Sequence, residues 1–237
     1  MEETTFTPVK KPSLWTRFVK RAFDVCSSGA VILVLIPFFI LFTPIVAIAM
    51  KGNPFFIQKR PGKDGKIFNL IKYRTMTNAK DKEGNLLPDA DRLTKFGKFM
   101  RSTSLDELPE LFCIFIGTMS VVGPRPQLIR DLVFMTEEQK QRHIVRPGLT
   151  GLAQINGRNN ITWEQKFQYD LEYINSGISL WKDLSIIFKT VFKTVEQADT
   201  VREGTVSDID FGDWLLIEKK INQTEYELKK NEAKEIL

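Results

Sequence analysis

Val25–Met50 reads VCSSGAVILVLIPFFILFTPIVAIAM, and no Asp, Glu, Lys or Arg interrupts it. A membrane helix needs about 20 predominantly apolar residues, so the run is long enough to enter a bilayer. A secretory signal is the competing reading, but the run begins well inside the chain and lacks a convincing small-residue cleavage site. Pro37 lies mid-run and Pro44 follows. In a continuous helix these prolines deprive the carbonyls of Leu33 and Ile40 of their donors, so a kink or a break is expected. Lys20 and Arg21 precede the run, and Lys51, Lys59 and Arg60 follow it. Positive charge on both flanks gives no direction of insertion. Two topologies stay open: a kinked spanning helix, or a helix that enters the bilayer, turns at Ile36-Pro37 and leaves by the same face.

The 237 residues around that run are enough for one domain and a tail. With 43% hydrophobic and 27% charged residues, the composition is that of a folded chain. A net charge of +5 and a pI near 9.1 suit a partner rich in phosphate, whether a nucleotide, an anionic membrane or a nucleic acid. The basic residues are spread along the chain without a recognisable nucleic-acid module, so no nucleic-acid partner is expected. Cys26 and Cys113 are far apart among apolar neighbours, which gives neither a disulfide framework nor metal-ligand spacing. His143 is the only histidine. Acid, base and nucleophile roles therefore fall first to carboxylates.

Beyond the membrane run, Phe55–Met76 reads as two strands joined by a Gly-rich turn at Gly62–Gly65, a small hairpin. Asp81–Asp91 has loop chemistry, and apolar residues at helical spacing resume from Leu93. Thr162–Ile174 and Leu180–Val195 read as amphipathic helices, suited to a membrane surface or to a core with a solvated basic side. The charged end from Arg202 reads as a solvated helix or a frayed tail. These readings divide the chain into an N-terminal segment (1–19), a membrane helix (20–51), a folded domain at the membrane face (52–201), where any catalytic residues would lie, and a C-terminal tail (202–237). The fold expected is mostly α with a small β-hairpin, an α+β class.

Ser104-Leu105-Asp106-Glu107-Leu108-Pro109 sets two adjacent carboxylates before the apolar run Leu111–Ile116. A capping box, with Ser104 as N-cap and Glu107 reaching back, explains Glu107 well and Asp106 only partly. Pro109 disturbs that box, because it withholds a hydrogen bond early in the helix and implies irregular backbone beside the acids. Carboxylates at a helix start are kept ionised, which suits a nucleophile or a metal ligand. Gly123-Pro124-Arg125-Pro126 brackets a guanidinium between two prolines, a stiff mount for a bidentate phosphate donor. Arg101 lies upstream of the acids, Lys72 and Arg74 end the hairpin, and Arg146 and Arg158 stand beside turns.

KRAFDV (20–25) leading to Pro37, KYRTM (72–76), SLDELPEL (104–111), MSVVGPRP (119–126), VRPGLTGLAQINGR (145–158) and NNITW (159–163) together resemble the bacterial sugar transferase family, the small monotopic phosphoglycosyl transferases. The similarity runs in order from about Lys20 to Val195. It implies transfer of a sugar phosphate, from a UDP-sugar that leans towards the N-acetylated kind, to polyprenol (undecaprenyl) phosphate, with UMP released. The reaction is expected at the cytoplasmic face of the bacterial inner membrane and with Mg²⁺. By matching motif, Asp106 is the expected nucleophile and Glu107 its partner, as metal ligand or acid-base helper. Asp106 and Glu107 are thus also the candidate metal residues. Lys72, Arg101 and Arg125 are the expected phosphate-binding residues, with Arg146 and Arg158 as further candidates. The resemblance also favours the re-entrant helix with Pro37 at its break, although Ile36 stands where the family often has serine. The rival from another class is a non-enzymatic membrane-anchored adaptor, which leaves the Asp-Glu pair and the Gly-Pro-Arg-Pro turn without a role.

Overall fold

The computed structural model describes residues 9, 11–157, 161–196 and 209–236. Its longest element is helix α1, Leu14–Ala49, started by Ser13, whose side chain accepts from the Thr16 amide at 3.1 Å. Helical backbone runs through both Pro37 and Pro44 without a break at either. At ~1.5 Å per residue α1 is ~54 Å long, well beyond the ~30 Å of a bilayer core.

Both ends of α1 rest on the same body. Near its start, Lys20 pairs with Asp183, and the buried Asp24 carboxylate accepts from Ser120 Oγ and the Val121 amide, both at 3.0 Å. Towards its end, Phe42, Val46 and Met50 pack with Tyr73 and Met100, and Thr43 Oγ1 lies 2.8 Å from the Tyr73 hydroxyl. The opposite face of α1 presents Leu33, Val34, Ile40, Leu41 and Ile48 outward.

The expected hairpin forms from β1 (Phe55–Pro61) and β2 (Ile67–Tyr73), antiparallel with Phe55 opposite Tyr73. Short helix α2 (Asp89–Arg92) leads to α3 (Lys95–Ser102), which crosses the chain so closely that a Cβ on Gly97 would sit 1.9 Å from the Thr75 carbonyl. Then come α4 (Glu110–Ile116) and β3 (Ser120–Val122). After α5 (Ile129–Leu132) and α6 (Glu137–Lys140), β4 (Gly148–Thr150) returns to pair with β3 in parallel. That second sheet was not foreseen, because three-residue strands flanked by Gly and Pro carry no alternation to read.

Helices α7 (Leu152–Ile155), α8 (Trp163–Asn175) and α9 (Leu180–Glu196) follow. The two long ones match the expected spans, but only α9 has an outward apolar face, with Trp181, Phe188, Val191 and Phe192 exposed. Helix α8 is a core helix, since Trp163, Phe167, Asp170, Tyr173 and Ile174 are buried.

Residues 209–236 are not a frayed tail. Helices α10 (Phe211–Ile217) and α11 (Gln223–Ile236) fold back on α5 and α8. Helix α11 is mostly exposed, as the expected solvated helix would be, but the segment is docked through an apolar anchor at its start. Phe211 is 2% exposed, its ring 4.9 Å from Phe167 and 5.2 Å from Trp163, and Trp163 Nε1 donates to the Ile209 carbonyl at 3.1 Å. Charges around Lys219–Glu235 hide this apolar anchor from a compositional reading. Truncating Phe211 to Ala should therefore cost about 3–5 kcal/mol and lower the thermal midpoint in detergent, whereas Leu228→Ala, at a 70% exposed position, should leave it in place. Equal midpoints for the two variants would mean that the tail does not dock.

Candidate active site

Helix α3 stops at Ser102, and the chain reverses at Ser104, which adopts the left-handed region at φ 56°. Leu105–Glu107 then make one 3-10 turn, and Pro109 caps α4. The capping box is not formed: Ser104 makes no side-chain cap bond, and the Glu107 carboxylate is taken elsewhere. Lys72 Nζ from β2 donates to Glu107 Oε1 at 2.9 Å, and Arg125 Nη2 donates to the same oxygen at 2.6 Å. Lys72 Nζ also lies 2.9 Å from Glu110 Oε1, an ion pair without an aligned hydrogen bond.

These contacts split the three acids. Burial works to raise the Glu107 pKa, but the combined pull of Arg125 and Lys72 overcomes it and holds the carboxyl well below the usual range. Burial, followed by the neighbouring Glu107 charge, pushes Asp106 up to about 6. Glu110, only 2% exposed, is pushed by burial up to about 7. Asp106 accepts no hydrogen bond from the described residues, although Lys72, Arg101 and Arg125 all act on it through their charge. Its oxygens are thus available to a reacting group. Mg²⁺ is commonly held by one or two carboxylates together with substrate phosphates. The available Asp106 oxygens, and Glu107 with both cations drawn to Oε1 alone, fit that mode. Among the described residues no group of three or more His, Cys, Asp or Glu would form an all-protein cage.

Arg125 reaches the acids because β3 delivers the Gly123–Pro126 turn against the segment of β4. A Cβ on Gly148 would stand 2.1 Å from the Gly123 nitrogen, and one on Gly151 would stand 2.2 Å from the Gly123 carbonyl. Only glycine permits that approach. The Arg125 side chain stays 42% exposed, so its fork is accessible beyond the Glu107 contact. Arg101 projects from α3 with Nε donating to Thr75 Oγ1 at 3.0 Å.

The structure thus brings Lys72, Arg101 and Arg125 to the acids. Arg146 lies at the other end of α4, where its Nε donates to the Gly117 carbonyl at 2.7 Å beside Arg21, which caps the Ile114 and Phe115 carbonyls. Arg158 falls outside the described residues. His143 is buried with Nδ1 3.0 Å from the Lys140 carbonyl, and burial pushes its pKa down to about 3. Sequence reasoning missed Glu110, whose one signal was its place in the first turn of α4, four residues after Asp106. It also missed the role of Arg60 and Arg142, which hold the carbonyls of Pro126 and Arg125.

Comparison with known proteins adds an independent line. The profile described as bacterial sugar transferase matches residues 15–197. The chain is 48% identical over 178 residues to the uncharacterized sugar transferase EpsL of Bacillus subtilis, covering 75% of this chain and 87% of that protein. It is 43% identical over 187 residues to a UDP-glucose:undecaprenyl-phosphate glucose-1-phosphate transferase of Klebsiella pneumoniae, covering 73% of this chain and 39% of that one. A UDP-galactose-lipid carrier transferase of Erwinia amylovora is 34% identical over 193 residues, 74% of this chain and 40% of its own. The match thus spans about two-fifths of the longer relatives. On the strength of these matches the chain belongs to the bacterial sugar transferase family.

Proposed function

We propose that this protein transfers a sugar 1-phosphate from a UDP-sugar to polyprenol (undecaprenyl) phosphate, releasing UMP, through a covalent phospho-sugar on Asp106. The observation that carries the reading is the division of labour between the two acids. Glu107 gathers Arg125 and Lys72, while Asp106 keeps its oxygens without a hydrogen-bond partner among the described residues. The names of the Klebsiella pneumoniae and Erwinia amylovora relatives support the same class of donor and acceptor.

In this mechanism an Asp106 oxygen attacks the β-phosphorus, and the bond from that phosphorus to the bridging oxygen breaks, so the electron pair leaves with UMP. A phosphate oxygen of the lipid then attacks the same phosphorus, and the aspartyl bond breaks to restore the carboxylate. Arg125, Arg101 and Lys72 supply positive charge where two phosphates and a carboxylate must approach one another. Mg²⁺ held at Asp106 and Glu107 would add charge neutralisation on the diphosphate and the leaving group. The sugar is either a plain hexose, as in the relatives' names, or an N-acetylated one.

The same reading puts the enzyme at the cytoplasmic face of the bacterial inner membrane, entered from one side only. Both ends of α1 pack on a single body, which supports a helix that returns to its own face rather than one that spans. Its exposed apolar face and that of α9 would lie in the lipid. Pro37 would serve as a bend within the embedded part.

Four outcomes are expected. Purified protein with Mg²⁺ and undecaprenyl phosphate should release UMP from at least one member of a panel of UDP-glucose, UDP-galactose, UDP-GlcNAc, UDP-GalNAc and UDP-diacetylbacillosamine; silence across the panel would remove the transferase reading. Arg125→Ala should lower that rate by roughly 100-fold or more, and Arg125→Lys should recover only part of it, because a point charge lacks the bidentate fork. Since Asp106 attacks as the anion and its pKa lies near 6, UMP formation should fall about tenfold per pH unit on the acid side of that value and flatten above it. For topology, single cysteines at Ser13 and Asn78, in a chain lacking Cys26 and Cys113, should both resist an impermeant thiol reagent applied outside intact cells; labelling of just one would indicate a spanning helix.

A further inference from the structure

The Gly123–Pro126 turn lies outside any helix or strand, yet three successive carbonyls in it are occupied. Pro124 accepts from the Gly148 amide at 2.9 Å, Arg125 from Arg142 Nη2 at 2.6 Å, and Pro126 from Arg60 Nη1 at 3.2 Å. Loop carbonyls usually face water. Here two guanidiniums from distant parts of the chain, β1 and the segment after α6, clamp adjacent peptide groups.

Each guanidinium is itself fixed. Arg142 Nε and Nη2 donate to Asp170 Oδ2 of α8 at 2.9 and 2.6 Å, with side-chain exposures of 1% and 3% for the pair, and the guanidinium lies 5.7 Å from the Phe167 ring centroid. Arg60 Nη2 donates to Gln58 Oε1 at 2.7 Å, while its Nε is sealed from solvent without an acceptor. Among the described residues no carboxylate stands within ion-pair distance of Arg60. Burial, with the Arg125 charge beside it, pushes the Arg60 pKa down to about 10.

Neither arrangement is explained by stability. A buried ion pair is on average no more stabilising than apolar residues of the same shape, and a desolvated cation beside another cation is a cost. What both arrangements supply is geometry. We infer that Arg60 and Arg142 are positioning residues for Arg125: they lock the backbone on which its side chain is aimed at Glu107 and at the phosphates of the donor. The prolines fix φ on either side, the two clamps fix the peptide planes, and the fork is left with few ways to point. This inference rests on the transferase reading for its consequence but not for its geometry.

Two measurements test it. In the first, Arg60→Lys, which keeps the charge but loses the fork, is made in the wild-type chain and in Arg125→Ala. The rate of UMP formation should drop about tenfold or more in the former and less than about twofold in the latter, because a residue acting through Arg125 has nothing left to act on. An equal loss in both backgrounds, or no loss in the first, would overturn the inference. Arg142→Lys should follow the same pattern if it folds. In the second, hydrogen exchange of the peptide spanning Gly123–Phe134 should speed up in Arg60→Lys while the thermal midpoint stays in place; unchanged exchange would overturn the clamp. If the wild-type chain forms no UMP at all, the transferase reading fails, and hydrogen exchange still decides whether Arg60 holds the turn.

Discussion

One carboxylate oxygen, Glu107 Oε1, ties the parts of the candidate site together. It accepts from Lys72 of β2 and from Arg125 of the turn after β3, so the hairpin, the 3-10 turn and the parallel strand pair meet on it. A carboxylate this enclosed would be costly alone, and breaking such a pair from either side typically costs several kcal/mol because the remaining charge is stranded. The same contacts decide which acid does what. Lys72 and Arg125 lie against Glu107, and Lys72 also lies against Glu110. Asp106 is left with cations near enough to act on it and, among the described residues, with no hydrogen-bond donor of its own. On the reading proposed, that is a nucleophile surrounded by charge it does not have to share.

Helix α4 joins this centre to the apolar surface. Its first turn carries the buried Glu110, while Phe112 on another side of that turn, and Phe115 and Ile116 at the far end of the helix, are exposed. The Phe112 ring packs 5.4 Å from Phe39 of α1, and Arg21 of α1 donates to the Ile114 and Phe115 carbonyls at the far end. The acids therefore sit about one short helix away from the face that would meet lipid. A reaction between a soluble nucleotide sugar and a lipid phosphate needs this proximity, because the acceptor headgroup does not leave the membrane surface.

How far the sequence reveals this arrangement depends on what each residue's signal encodes. The hairpin and the spans of α8 and α9 were legible, since alternation, helical periodicity and Thr162 as a cap are local properties. The acid pair stood out only weakly by itself, since a capping box accounts well for Glu107, and it was the motif around it that marked Asp106. Destinations were not legible. Arg125 and Arg146 look alike as arginines mounted beside prolines, yet one meets Glu107 and the other caps the far end of α4. Only the parallel pairing of β3 with β4 separates them, and three-residue strands leave no pattern. Glu110 drew no reading at all, and Arg60 only that of a flanking charge, because burial is a tertiary fact. Phe211 and Trp214 were hidden in a charged stretch for the same reason. At Pro37, where a kink or a break was expected, helical backbone runs on as one element, because a local proline signal does not say whether a helix bends or breaks.

The claim on which the account turns is that Asp106 becomes covalently loaded before the lipid acceptor takes part. Protein incubated with Mg²⁺ and its UDP-sugar, in the absence of polyprenol phosphate, should release UMP in a burst equal to the amount of enzyme. Intact-mass measurement should show the chain heavier by one phospho-sugar, and peptide mapping should place the adduct on Asp106. In Asp106→Asn both burst and adduct should vanish. UMP that appears only when both substrates are present, with no adduct trapped in the wild-type chain, would contradict the account and make Asp106 a metal ligand in direct transfer.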